Sequence, residues 1–161
     1  MTEPDDASSG PLRLLTREIP ADWIDYNGHV TEFRYLQLLA DATDALLLFV
    51  GVDGAYVESG ASYYTVETHI SHLGQLYAGD QVEVLTQVLG WDERRLHLFH
   101  TIVRRGEEQP VATGEHMLLH VDAAAGRASP VRNGVRGRVA ALADAQAALA
   151  RPARAGRRIS L

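Results

Sequence analysis

The sequence predicts an α+β protein in which one long helix lies beside a curled antiparallel sheet. Three observations carry this. Apolar residues recur at helical spacing from Thr31 to Phe49. From Ser62 onward the runs become rich in Tyr, Thr, Val and Ile. Short Gly-, Asp- and Pro-containing segments, close enough for hairpins, separate those runs.

Taken in order, residues 1–11 are polar and small and are expected to form a disordered tail. Leu12 to Ile19 reads as a short strand ended by Pro20, and Ala21 to Gly28 as a loop. In the helix, Phe33, Leu36, Leu39, Ala40, Leu46 and Leu47 form the expected apolar stripe, with Thr31 as N-cap and Gly51 as the stop. Strands follow over Ser62–Leu73, Gln81–Trp91, Arg95–Arg104 and Val111–Asp122, with turns at Tyr77–Asp80 and Arg105–Glu108. Asn133 and Gly134 read as a further turn before a C-terminal helix over Val135–Ala150. The expected organisation is a tail (1–11), a folded domain (12–126) and a basic C-terminal extension containing a helix (127–161). One helix covers one face of a sheet, so a free edge is left for a second copy of the chain, and a homodimer or higher homo-oligomer is expected.

Composition narrows the chemistry. At 161 residues one domain is expected. Cysteine is absent, so disulfides and thiol nucleophiles are excluded. Lysine is absent too, which excludes Schiff-base chemistry and a phosphate-loop lysine. The richest apolar run, Ala45–Val52, is too short to span a bilayer, and the acidic start lacks the features of a signal peptide. No membrane association and a cytoplasmic location are therefore expected. The net charge is −6, yet from Arg127 onward there are eight arginines and one acid, Asp144. Such a segment suits phosphates or a neighbouring subunit. It carries no aromatic side chain on which bases could stack, so nucleic acid is not an expected partner.

The residues richest in chemistry are Asp25-Tyr26-Asn27-Gly28-His29-Val30, a short loop leading straight into the long helix. Asp25 is placed to activate water or attack a carbonyl. Gly28 allows close backbone approach, and the first N–H groups of the helix can face a developing oxyanion. The same residues would serve equally well as turn and capping groups, and residue types alone do not separate the two readings. The histidines make a poor metal site. His69 and His72, like His97 and His100, are three apart on strands and so face opposite ways, while His116 and His120 share a face but lie far apart. No metal or other cofactor is expected. No Gly-x-Ser-x-Gly serine elbow and no Gly-x-Gly-x-x-Gly dinucleotide fingerprint occurs.

Asp25 to Val30 followed by Tyr35-Leu36, with Gly79-Asp80 and Gly114-Glu115 later, resembles the 4-hydroxybenzoyl-CoA thioesterase branch of the hotdog fold. The resemblance implies a sheet wrapped round the helix, a dimer, and acyl-CoA bound between subunits. It also implies that Asp25 is the catalytic carboxylate, with Asn27, Gly28 and His29 beside it. Longer blocks, Trp23–His29, Asp41–Leu46, Tyr63–Ile70, Arg95–His100 and Ala112–Asp122, resemble the betainyl-CoA thioesterases found beside or fused to L-carnitine dehydrogenase. They imply hydrolysis of betainyl-CoA to glycine betaine and CoA in carnitine breakdown, with the dehydrogenase as a pathway neighbour and this chain as the stand-alone form. A trimethylammonium group is held by aromatic faces and carboxylates. Trp23, Tyr26, Tyr63, Tyr64 and Phe99 are the aromatic candidates, and Glu67, then Asp44, the carboxylate candidates. Two alternatives stay open: the same hydrolysis on another small acyl-CoA, and a non-hydrolytic acyl-CoA binder or dehydratase of the same fold.

Overall fold

The computed structural model describes residues 10–161. The expected N-terminal tail lies, as far as residue 9, outside them. The elements are β1 (Leu12–Glu18), a 3-10 turn (Ala21–Trp23), α1 (Glu32–Phe49), α2 (Gly54–Glu58), β2 (Ala61–His72), β3 (Gln81–Trp91), β4 (Arg95–Arg104), β5 (Pro110–Asp122), β6 (Arg127–Ala128) and α3 (Asn133–Gln146).

The strands pair antiparallel in the order β1-β3-β4-β5-β2, and β6 adds to β5. Every pairing along this path contains a register shift, at Arg13/Leu15, Thr65/Glu67, Val88/Gly90 and Ile102/Val103. Such irregularities bend and twist the strands, and the sheet curls around α1. The helix buries Tyr35, Leu38, Leu39, Ala42, Thr43, Leu46 and Leu47. The expected stripe is therefore corrected: Phe33, Leu36 and Ala40 face outward. The helix carries apolar residues on more than one side, so their spacing alone does not say which side the sheet takes.

The core falls into two apolar clusters. One packs Trp23, Leu38, Leu39, Leu76, Val84 and Ile102 around the first half of α1. The other packs Leu46, Leu47, Leu98 and Leu118 with Val131, Val135, Val139 and Leu142 around its second half. The C-terminal extension thus supplies part of the core. A buried polar belt lies between the clusters. Thr43 Oγ1 donates to the Leu39 carbonyl (3.0 Å), so it accepts from His100 Nε2 (2.9 Å). His100 Nδ1 then accepts from Thr86 Oγ1 (2.9 Å). The ring of His116 stands edge-on to that of His100, with centroids 5.0 Å apart. Gly114 makes room for this pair, since a Cβ there would sit 2.9 Å from His116 Nε2 and 2.5 Å from Leu39 Cδ1.

Three further details differ from the sequence reading. Asn133 and Gly134 form the first turn of α3, which ends at Gln146. No side chain caps this helix, and it is fixed by the packing of Val135, Val139 and Leu142, a tertiary cause that local turn signals do not carry. The short α2 and β6 were not anticipated. Past the end of β1, which pairs only as far as Thr86, Gln146 takes over the ladder: its Oε1 accepts from Val88 N (2.7 Å) and its Nε2 donates to Thr86 O (3.4 Å). The chain then crosses the sheet face turned away from α1, where Gln87 Nε2 donates to Ala150 O (3.3 Å) and Gly156 N to a Glu115 carboxylate oxygen (2.7 Å). At the other end of the sheet β2 pairs, among the described residues, only with β5, and Tyr64 to Thr68 are all exposed. No helix among the described residues is long and apolar enough to cross a membrane.

Candidate active site

The loop before α1 is a small closed hairpin. Ile24 and Val30 form a β-bridge, Asp25 N donates to His29 O (3.1 Å), and Gly28 N donates to Asp25 O (3.0 Å). Gly28 closes the turn at φ 84°, in the left-handed region that glycine adopts without penalty. Val30 N donates to Leu76 O (2.8 Å), which ties the hairpin to the segment between β2 and β3. Trp23 anchors it from below, buried in the first core cluster, with the guanidinium groups of Arg17 and Arg34 over its ring at 5.6 and 5.1 Å.

Asp25 is half-buried. Its Oδ1 accepts from Asn27 N (2.8 Å), which fixes the carboxylate. Among the described residues no hydrogen-bond partner is found for Oδ2. Thr31 holds the N-cap position, as expected, but its hydroxyl does not cap the helix; it donates to Trp23 O (3.1 Å) instead. The first-turn amides of α1 are therefore left without a side-chain acceptor beside the Asp25 loop, at the positive end of the helix dipole.

Asp25, Tyr26, Asn27 and His29 line an open hollow of about 560 Å³. Its other walls include Glu32 and Tyr35 of α1, His72 at the end of β2 and Leu73 to Gln75 beyond it. The Tyr35 hydroxyl accepts from Leu76 N (3.1 Å), and its ring meets His72 edge-on at 5.0 Å. Glu32, Tyr35 and His72 were not singled out as site residues from the sequence. Tyr35 was legible as part of the Tyr-Leu motif, whereas His72 reaches the hollow only through the tertiary fold.

The remaining candidates do not converge on this hollow within one chain. Trp23 lies beneath the loop with both guanidinium groups on its ring. Tyr63 is buried against His120, with ring centroids 5.0 Å apart, and burial pushes its hydroxyl pKa up. Tyr64 and Glu67 are exposed on the free edge strand β2. Phe99 is buried on the sheet face away from α1, next in register to Gln87 and Glu115. Asp44 is exposed on α1, and desolvation followed by the nearby Asp41 charge raises its pKa. Among the described residues no three His, Asp or Glu side chains are grouped as metal ligands.

A curled sheet around one long helix, with a carboxylate loop at that helix's N-terminus, defines the class: this is a hotdog thioesterase fold. The chain belongs to the thioesterase-like superfamily, whose family model matches residues 19–139. Among its relatives, the betainyl-CoA thioesterase of Pseudomonas aeruginosa is 42% identical over 92% of this chain and 95% of its own length. The L-carnitine dehydrogenase/betainyl-CoA thioesterase of Rhizobium meliloti is 49% identical over 94% of this chain, which spans only 31% of that relative's length. A solved structure from Pseudomonas putida KT2440 is 33% identical and superposes with a TM-score of 0.82, covering 96% of this chain and 99% of the other. A Staphylococcus aureus protein solved with CoA shares the fold at 21% identity, with a TM-score of 0.87 over 96% of this chain and 98% of its own.

Proposed function

We propose that this chain hydrolyses betainyl-CoA to glycine betaine and CoA, with Asp25 activating the attacking water. The observation that carries the reading is the Asp25 carboxylate, held through Oδ1 and, among the described residues, free at Oδ2, beside the start of α1 that no side chain caps. Asp25 takes a proton from water as the water oxygen adds to the thioester carbonyl carbon. The resulting oxyanion is stabilised by the first-turn amides of α1. When the carbonyl reforms, the carbon–sulfur bond breaks, and the proton held by Asp25 passes to the departing CoA thiolate. Asn27 holds the carboxylate in place through its backbone N–H, Gly28 closes the turn on the Asp25 carbonyl, and His29 lines the wall. No metal or cofactor takes part in this step.

Tyr26 and Tyr35 supply aromatic faces within the hollow, and Glu32 a carboxylate for the trimethylammonium group. In this reading the chain works as a homodimer joined along the free edge of β2, which presents Tyr64 and Glu67 to the partner's site. Its place is the cytoplasm, where acyl-CoA is made and used, with L-carnitine dehydrogenase as pathway neighbour. The test compares release of free CoA from betainyl-CoA and from its neutral isostere, 3,3-dimethylbutyryl-CoA. A kcat/KM about tenfold or more in favour of the cation is expected, from about 1–2 kcal/mol per well-placed ring. Equal values would remove the betainyl assignment and leave the thioesterase standing.

A further inference from the structure

We propose that Arg154, Arg157 and Arg158 form a phosphate-binding site for the nucleotide end of CoA. The inference rests on the acyl-CoA reading above and extends it to residues outside the Asp25 loop. A second hollow, of about 320 Å³, lies where the C-terminal segment meets the end of β2. Arg154, Arg157, Arg158 and His69 line it, and among the described residues no Asp or Glu does, although Arg157 and Arg158 also border a neighbouring hollow that Glu67 and Glu115 line. It shares His72 and Leu73 with the Asp25 hollow, so the two flank the same end of β2.

The arginines sit on a held segment. Gly156 N donates to a Glu115 carboxylate oxygen (2.7 Å), Ala150 O accepts from Gln87 (3.3 Å), and Arg154 Nη1 donates to Ser71 Oγ (3.5 Å). Among the described residues none of the three forms an ion pair, although the protein carries net charge −6. The neighbouring acid Glu115 is engaged by His97 (2.7 Å) as well as by Gly156 N. Guanidinium forks match phosphate oxygens in geometry and charge. CoA carries a 3′-phosphate and a diphosphate at one end and the thioester at the other. An arginine hollow beside a thioester-cleaving hollow fits that length of molecule, and an open one suits groups that remain hydrated.

The experiment compares the parent with the triple variant R154Q/R157Q/R158Q on one acyl group carried by CoA or by pantetheine, which lacks the nucleotide. The variant is expected to raise KM for the CoA substrate about tenfold or more, with kcat and the pantetheine kinetics moving less than about twofold. Equal effects on both carriers, or none, would overturn the site. Binding of adenosine 3′,5′-bisphosphate, measured by calorimetry, separates this proposal from the hydrolase reading. Parent and D25N protein should bind it alike, and the triple variant about tenfold or more weaker. If the parent binds but cleaves neither thioester, the hydrolase reading fails and the phosphate site stands. If parent and triple variant bind it equally, or the parent does not bind it, the site fails whatever the hydrolysis shows.

Discussion

Glu32 is the first residue of α1, exposed, and on the wall of the Asp25 hollow. A carboxylate there opposes oxyanion formation at the same helix start, a cost for a neutral substrate. For an acyl group with a fixed positive charge the same carboxylate becomes a binding contact. Glu32→Gln should therefore lower kcat/KM for betainyl-CoA while leaving its neutral isostere unchanged or faster, so that the preference falls about tenfold. An unchanged preference would move the cation-binding carboxylate elsewhere, with Glu67 of the partner subunit next in line. Glu67 is the carboxylate that the sequence favours, because an acid in a strand otherwise suited to burial needs a partner or a role. Its reason in one chain is simply exposure on the edge of β2.

At the scale of elements, the polar belt joins α1 to β3, β4 and β5. His100 is fully buried, and desolvation followed by the His116 charge lowers its pKa to about 3; desolvation lowers that of His116 to about 4. Both are neutral in the fold, whereas the unfolded chain protonates them near the ordinary value of 6.5. The unfolded state thus binds more protons below pH 6.5. Their contribution to stability is complete above that pH and is lost as pH falls toward about 4. Thermal unfolding between pH 7.5 and 5 should show a falling Tm, with each group contributing up to about 1.4 kcal/mol per pH unit. His116→Phe, which removes a buried ring nitrogen without a partner, should flatten the curve. A parent Tm constant across that range would contradict this account. The belt was not legible in the sequence, because Thr43, Thr86, His100 and His116 are far apart in the chain and meet only when β3, β4 and β5 pair. The strands themselves were legible. Gln81–Trp91 and Arg95–Arg104 were bounded to the residue, since Asp80, Asp92 and Gly106 mark their ends. The Asp25 loop was legible for the same local reason, as a turn, a carboxylate and a helix start adjacent in sequence. The far wall of its hollow, His72 to Gln75, was hidden because it arrives from the end of another strand.

On the scale of the whole molecule, three features face solvent: the exposed stretch Tyr64–Thr68 of β2, and Phe33 and Leu36 on the outer side of α1. Phe33 and Leu36 share a shallow hollow with Ile70 of β2, so helix and strand present one apolar surface. Such an edge pairs readily with a second copy of itself. Light scattering should give a dimer or a multiple of it, and Val66→Asp, which sets like charges close together across a two-fold edge, should weaken assembly and activity together. A parent monomer with full activity would contradict the shared-site arrangement. Hydrolysis itself, however, depends on one carboxylate. Its most direct test is free CoA release from betainyl-CoA by the parent and by Asp25→Asn, whose side chain is nearly isosteric and can still accept from Asn27 N. The variant should fold and turn over more slowly by about two to four orders of magnitude. A folded variant with near-parental kcat would contradict it and leave Asp25 as a turn residue only.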